Sequence, residues 1–244
     1  MNWRDPKRWC ALHHACSKGH IGVVKLLLAH PAIKVNLKVK NGGSPLSYAC
    51  QFERVLVVRE LSMDSRVDIS LADEGNRTPL WWASWKGQYL VVEWLMASGR
   101  DLGDLNLKGT WFGQKRTALE IARMEDHPEV VSLLERFRAN PTQTCSEVRV
   151  KLGVLDELAA EVFALTVFLC DDLLQLKPAA HPAHPTAAAT TRFFAIASKL
   201  PMELQMIICH RAVGSAKDNI LSKDSEVAFK SLVRALLLLP SQSD

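Results

Sequence analysis

The chain lacks every short signature on which a catalytic or metal-site assignment would rest. Its 244 residues contain no CxxC pair, no phosphate-cradling glycine loop, no GxSxG elbow, no HExxH and no DxD constellation. The six cysteines, Cys10, Cys16, Cys50, Cys145, Cys170 and Cys209, are scattered, with no short Cys/His ligand cluster. They read as reduced thiols, which points to an intracellular compartment, cytoplasmic or nuclear. The first ten residues, MNWRDPKRWC, hold no apolar core of a secretory signal. The most apolar run, Val162 to Cys170, is nine residues flanked by Glu161 and Asp171. That is far short of the ~20 apolar residues that cross a bilayer, so no membrane association is expected. A net charge of +4 is divided between 20 Lys/Arg against 15 Asp/Glu over residues 1–140 and 10 against 11 over 141–244. Signs mixed in this way argue against nucleic acid as the partner. Two adjacent pairs, His13/His14 and Asp171/Asp172, point in different directions on a helix and cannot converge on a substrate. His181 and His184 stand three apart with no cysteine or acid nearby to complete a metal site. No enzyme activity, small-molecule substrate, cofactor or metal is therefore expected.

What the chain does have is an internal repeat. CALHHACSKGHIGVVKLLL begins at Cys10, SPLSYACQFERVLVVREL at Ser44, TPLWWASWKGQYLVVEWLM at Thr78 and TALEIARMEDHPEVVSLLE at Thr117. Their third residues, Leu12, Leu46, Leu80 and Leu119, are spaced by 34, 34 and 39, and the Val-Val pairs at 23/24, 57/58, 91/92 and 130/131 keep the same steps. Each copy reads as a helix, a tight turn and a second helix. Ser or Thr can cap the first helix, and Pro45 and Pro79 suit its first position, where a missing N–H costs nothing. Ala11, Ala15, Ala49, Ala83 and Ala122 are small enough for paired helices to approach closely. Gly19 and Gly87 sit where the first helix must end in a left-handed residue. Leu and Val recur at i, i+3 and i+4 in the second helix, a stripe that needs a neighbouring copy to bury it.

These segments resemble ankyrin repeats, whose TPLHxAAxxGHxxVVxLLL pattern in a unit of about 33 residues they follow over roughly residues 5–138. The resemblance implies an all-α helical solenoid, followed here by a C-terminal helical module. Two departures bear on regularity. The motif histidine survives only as His13 and becomes Ser47, Trp81 and Glu120, so the Thr-to-His hydrogen bond that braces the helix start is expected to be lost in three copies. The motif glycine becomes Glu53 and Asp126, so the second and fourth copies are expected to be the less regular ones. The resemblance also implies a concave groove lined by the first helices and the repeat tips. Carried over position by position, it nominates Lys18, Phe52, Arg77, Trp85, Lys86, Arg116 and Met124 as an aromatic-plus-cation row facing a partner. Trp81 and Trp94 are expected in the core, and His14 is expected to stack in a row with Tyr48 and Trp82. Trp3 and Trp9, ahead of a first copy with no polar cap, are expected to be exposed or to meet another molecule.

Between the third and fourth copies the chain is five residues longer than the repeat requires, and Gly109, Trp111, Phe112 and Gly113 suggest a protruding finger with an aromatic tip. Trp111 and Phe112 join the candidate partner contacts. The array is expected over residues 1–140, with repeats at about 5–38, 39–72, 73–108 and 112–138. A linker and capping helix follow over 141–176, with Leu155, Leu158, Val162, Leu165, Leu169, Leu173 and Leu176 as its apolar stripe. A low-complexity Pro/Ala/His loop spans 177–191, and a C-terminal helical segment occupies 192–244. In that last segment LPMELQMII resembles the opening helix of an F-box over Leu200, Pro201, Glu203, Leu204 and Ile207. The leading reading is a non-enzymatic protein–protein interaction module whose partner is not identified. The alternative is a substrate-recruiting adaptor of a ubiquitin ligase, docking through Leu200, Pro201, Glu203, Leu204 and Ile207.

Overall fold

A computed structural model describes residues 2–170, 193–195, 197, 199–215, 217 and 219–237. The chain divides into two compact units, Met1–Val148 and Arg149–Asp244. Among the described residues no helix is long and apolar enough to cross a membrane.

The first unit is a helical solenoid of four helix pairs: α1 Ala11–Lys18 with α2 Ile21–Leu28, α3 Pro45–Gln51 with α4 Val55–Met63, α5 Pro79–Trp85 with α6 Tyr89–Ala97, and α7 Ala118–Met124 with α8 Pro128–Ala139. First helices stack in the order α1, α3, α5, α7, and second helices in the order α2, α4, α6, α8. Most motif positions form the core between the two rows, though Val23 is exposed and Leu119 and Val131 are half-buried. Leu12, Leu46 and Leu80 are buried, as are Val57, Val58, Val91, Val92 and Val130. Ala15, Ala49, Ala83 and Ala122 lie at the close approaches with at most 3% of their surface exposed, whereas Ala11 faces outward.

Each first helix keeps a brace at its start, although three copies lack the histidine. In the first, His13 Nδ1 accepts the Cys10 backbone N–H at 3.3 Å. Burial holds that imidazole neutral, with its pKa lowered from 6.5 to about 4. In the second, Ser44 Oγ accepts the Ser47 N–H at 3.1 Å and lies 3.0 Å from the Ser47 hydroxyl. In the third, Thr78 accepts the Trp81 N–H at 3.1 Å. In the fourth, Thr117 and Glu120 form a reciprocal capping box, with Glu120 Oε2 accepting the Thr117 N–H at 2.9 Å. That backbone N–H is also the main reason the Glu120 carboxyl titrates low. The Thr-to-His bond itself is absent from these three copies; Ser47 and Glu120 supply polar side chains in its place, while the third copy keeps only the Thr78 cap.

The turns that follow are equally uniform. Gly19 and Gly87 take φ of 78° and 67°, and Glu53 and Asp126 are held at 56° and 58° in the same place. The second and fourth copies are therefore not irregular at this turn; non-glycine residues are driven into the left-handed region at a cost of ~1–2 kcal/mol each. The stacking also links these turns. Arg54 Nε donates to the Ser17 carbonyl at 3.0 Å, Gln88 Nε2 to the Gln51 carbonyl at 3.5 Å, and His127 Nε2 lies 3.2 Å from the Trp85 carbonyl. Each copy thus ties its turn to the one before it. The tips are linked in the same way: Lys40 N–H to Lys7 O, Glu74 N–H to Asn41 O, and Thr110 N–H to Gly75 O.

The five-residue insertion folds as a hairpin of β1 Gly109–Trp111 and β2 Gln114–Arg116, antiparallel, with Gly109 opposite Arg116. Phe112 and Gly113 turn the corner at φ of 47° and 76°, the two left-handed residues that a tight two-residue hairpin requires. Beyond α8, α9 Pro141–Lys151 occupies part of the stretch expected as a linker. The Asn140 side chain starts it by accepting the Gln143 N–H at 3.1 Å.

In the second unit α10 Val154–Cys170 packs against α11 Met202–Ala212 and α12 Ser222–Leu237. Its buried face centres on Ala159, Ala160, Phe163 and Ala164, which lets Ala228 approach and brings Phe229 edge-on to Phe163 at 6.4 Å. Of the expected leucine stripe, Leu155 is buried but Leu158 is 41% exposed, and Val162, Leu165 and Leu169 are half-buried. The stripe is corrected by one step around the helix because small residues, not leucines, allow the close packing. Leu173, Leu176, the 177–191 loop and its His181 and His184 lie outside the described residues, as does Arg192 at the start of the expected C-terminal helical segment.

Candidate partner-binding face

The nominated residues fall into two groups on the first-helix side of the solenoid. The larger is built around the third copy. Trp81 is 1% exposed, and its indole Nε1 donates to the Arg116 carbonyl at 2.9 Å, so it carries the contact to the next tip. Trp82 is also buried and donates to Asp73 Oδ2 at 3.3 Å. Asp73 organises the tip before α5: its Oδ1 accepts the Gly75 and Arg77 N–H groups at 2.9 and 3.0 Å, and Oδ2 accepts Arg77 Nε at 2.9 Å. The Arg77 guanidinium then lies 4.5 Å over Trp82 and 5.4 Å from the Trp111 centroid. Arg77 is therefore corrected from an exposed cation to a structural one, with only 15% of its side chain open to solvent.

Trp111 is corrected in the same sense. It does not sit at a free tip but folds back, with its ring 4.6 Å from Trp85, 5.7 Å from Trp82 and 6.4 Å from Trp81. Phe112 alone projects from the hairpin, at 90% exposure. Lys86 caps the pile, its Nζ 3.9 Å above the Trp85 ring, leaving Trp85 half-buried. Arg116 is half-buried and donates to Gln114 Oε1 at 2.8 Å. Met124, on the fourth copy, is 50% exposed.

The second group surrounds the first two copies. Phe52, 45% exposed, lies parallel to the buried Tyr48 with centroids 6.3 Å apart, and Trp9 contacts Tyr48 at 4.5 Å and His14 at 5.0 Å. His14 is exposed and its ring contact is to Trp9, not to the buried Tyr48 and Trp82 of the expected row. Between Trp9 and Phe52 opens a groove of about 570 Å³, with Asp5, Lys7, Lys18 and Arg54 on its walls. Asp5 is held in place by accepting the Lys7 and Trp9 N–H groups at 2.9 and 2.8 Å, with His14 Nε2 3.7 Å away. Lys18 and Phe52 were legible as candidates from motif position. Asp5, Lys7 and Arg54 were not; the available signal was the Asp5–Trp9 stretch, an Asx turn ahead of the first helix.

In the second unit Pro201, Met202, Glu203 and Leu204 are exposed at the start of α11, Leu204 to 46%, while Leu200 and Ile207 are half-buried. Among the described cysteines Cys10, Cys16, Cys50 and Cys209 are buried free thiols, and burial pushes the Cys16, Cys50 and Cys209 thiols upward, away from reactive thiolate.

A family model for ankyrin repeats, in three copies, matches residues 1–73 and again 33–108. Among curated proteins, the chain is 32% identical to an ankyrin repeat-containing protein of Schizosaccharomyces pombe over 42% of this chain and 44% of that one. It is 33% identical to the 26S proteasome non-ATPase regulatory subunit 10 of Dictyostelium discoideum, over 42% of this chain and 44% of the relative. It is 27% identical to the probable 26S proteasome regulatory subunit p28 of Saccharomyces cerevisiae, over 57% and 59%. The chain thus spans about half the length of the relatives it matches. Ankyrin repeats are thus matched within residues 1–108, and the mostly helical solenoid is consistent with them.

Proposed function

We propose that the ankyrin repeats of this chain bind a protein partner along the face formed by α1, α3, α5, α7 and their tips, and that the chain is not an enzyme. One observation carries this reading: large apolar side chains stay exposed at successive ends of the first helices. Phe52 and Met124 are 45% and 50% exposed, Trp85 is half-buried beneath Lys86, and Phe112 projects from the hairpin. Aromatic and methionine side chains in a row, rimmed by Lys18, Lys86 and Arg116, are the make-up of an interface core with a charged margin. The ties between turns and between tips hold the row in place, so little ordering is needed on binding. Two relatives named as 26S proteasome regulatory subunits favour a partner inside a larger protein assembly. Buried free thiols favour the reducing interior of a cell.

Affinity capture from cell extract tests this. Phe52→Ala/Trp85→Ala/Met124→Ala in the full chain should reduce the recovered partner at least tenfold. Leu56→Ala/Leu90→Ala, exposed on the second helices instead, should leave recovery unchanged. Equal recovery by both variants would overturn the assignment of the face.

The exposure of Pro201, Met202, Glu203 and Leu204 favours a second reading, in which α11 docks an adaptor of a ubiquitin ligase while the repeats select its substrate. Met202→Ala/Leu204→Ala should then remove a ligase adaptor from the captured material and retain the repeat-bound partner. Absence of any such adaptor from the wild-type capture would eliminate this reading.

A further inference from the structure

Charge along the solenoid is concentrated at one end. The first 54 residues hold nine Lys/Arg against two Asp/Glu, and the remaining 190 hold 21 against 24. The groove between Trp9 and Phe52 lies in this basic region. Its one carboxylate, Asp5, is already engaged by two backbone N–H groups and His14. Lys7 and Lys18 are exposed, and no acidic side chain pairs with either among the described residues. Arg54 is anchored on the Ser17 carbonyl through Nε, which fixes its charge at the groove wall. The floor is apolar: Trp9 is in contact with His14 and Tyr48, and Phe52 lies parallel to Tyr48.

From this juxtaposition we infer that the groove binds an acidic peptide segment carrying one bulky apolar side chain. The apolar side chain enters between Trp9 and Phe52, and flanking carboxylates meet Lys7, Lys18 and Arg54. Charge complementarity selects the occupant, since a basic segment would face three cations across a small cleft. Nucleic acid fits less well. Beyond residue 54 the charges are mixed, 21 Lys/Arg against 24 Asp/Glu, so the cations around the groove do not continue into the basic track that a nucleic-acid backbone follows. This assignment rests on the protein-binding reading above and adds the partner's chemistry to it.

The test is selection of a display library of random nine-residue peptides on the full-length protein, followed by fluorescence anisotropy on the most enriched peptide. Bound peptides should be enriched in Asp and Glu around a single Leu, Ile, Phe or Trp, and affinity should fall at least fivefold between 50 and 300 mM salt. Lys7→Glu/Lys18→Glu and Phe52→Ala should each weaken binding at least tenfold. Lys34→Glu/Lys40→Glu, which makes the same charge change outside the groove, should change it less than twofold. No acidic enrichment, or equal loss in the two charge-swapped proteins, would overturn the inference, as would tighter binding of a mixed-sequence single-stranded oligonucleotide. If the captured partner still depends on Phe52 while acidic peptides fail to bind, the groove chemistry is wrong and the protein-binding face stands. If dependence on Phe52, Trp85 and Met124 is lost as well, both fall.

Discussion

The turn that ends each first helix gives the sharpest test of how the copies are held in register. At Gly87 the backbone stands at φ 67°, and an added Cβ would lie 2.5 Å from Nδ1 of His127 and 2.6 Å from its Cε1. Gly87→Ala therefore meets two costs. Left-handed backbone costs an L-residue ~1–2 kcal/mol, partly offset by ~0.5–1 kcal/mol from the lower freedom of alanine in the unfolded chain. The His127 ring must also move, giving up its contact with the Trp85 carbonyl at 3.2 Å, at an overpacking cost of ~1–3 kcal/mol. The net expectation is a loss of ~1–4 kcal/mol. Glu53→Gly runs the other way: it relieves a non-glycine residue at φ 56° and should stabilise by ~0.5–1 kcal/mol. The assay is urea unfolding followed by tryptophan fluorescence. All seven tryptophans lie at or before residue 111, so the signal reports the first unit alone. The midpoint should shift while the slope stays constant. Adding His127→Ala to Gly87→Ala should recover the steric part, making the pair non-additive by ~1 kcal/mol or more. A Gly87→Ala protein within ~0.5 kcal/mol of wild type, or a destabilised Glu53→Gly protein, would refute the reasoning.

Three further outcomes follow from the site. His13 is buried neutral with a pKa of about 4 against 6.5 in the unfolded chain, so between those values only the unfolded state binds the proton and stability falls as pH drops. That loss is on the order of 3 kcal/mol from pH 7 to pH 4, and urea midpoints across that range should show a His13→Gln protein losing less. Trp111→Ala should destabilise the array by ~1–2 kcal/mol through lost ring contacts, whereas Phe112→Ala should stay within ~0.5 kcal/mol by the same unfolding assay. Arg77→Lys should cost ~1–2 kcal/mol, because a lysine cannot both donate in the Nε position to Asp73 and lie flat between Trp82 and Trp111; thermal melts of the paired proteins decide it.

The repeat and four of its small positions, Ala15, Ala49, Ala83 and Ala122, were legible because they depend on spacing, and spacing is what a sequence displays directly; Ala11 faces outward instead. The left-handed turns at Glu53 and Asp126 were misjudged for an energetic reason. Glycine is preferred there because it is cheap, and a cost of ~1–2 kcal/mol per residue is small beside the stacking of a whole copy on its neighbours. The hairpin was visible as an insertion with aromatics, but Phe-Gly is a weak turn signal beside Asn-Gly, and nothing in Trp111 itself says that its ring folds back. Arg77 could have been read as internal, since Asp73 stands four residues earlier across a tip that needs an Asx-type anchor. The basic end was hidden by counting charge over residues 1–140, a window that averages the first copy with three balanced ones.

These corrections redistribute the proposed binding energy along the face. The aromatic pile of the third copy is satisfied internally, since Trp81, Trp82 and Trp111 each contact Trp85 or Arg77, and Lys86 already covers the outer ring. A partner can gain there mainly through Phe112 and the rim. Phe52 has Tyr48 on one side and an open groove on the other, so a partner side chain entering that groove loses water from both surfaces. The anchor of the proposed complex therefore belongs at Phe52, and the tryptophan-rich third copy acts chiefly as the rigid body that holds the face in register. On this reading, Phe52→Ala weakens partner binding more than Trp85→Ala does, although tryptophan is the larger side chain.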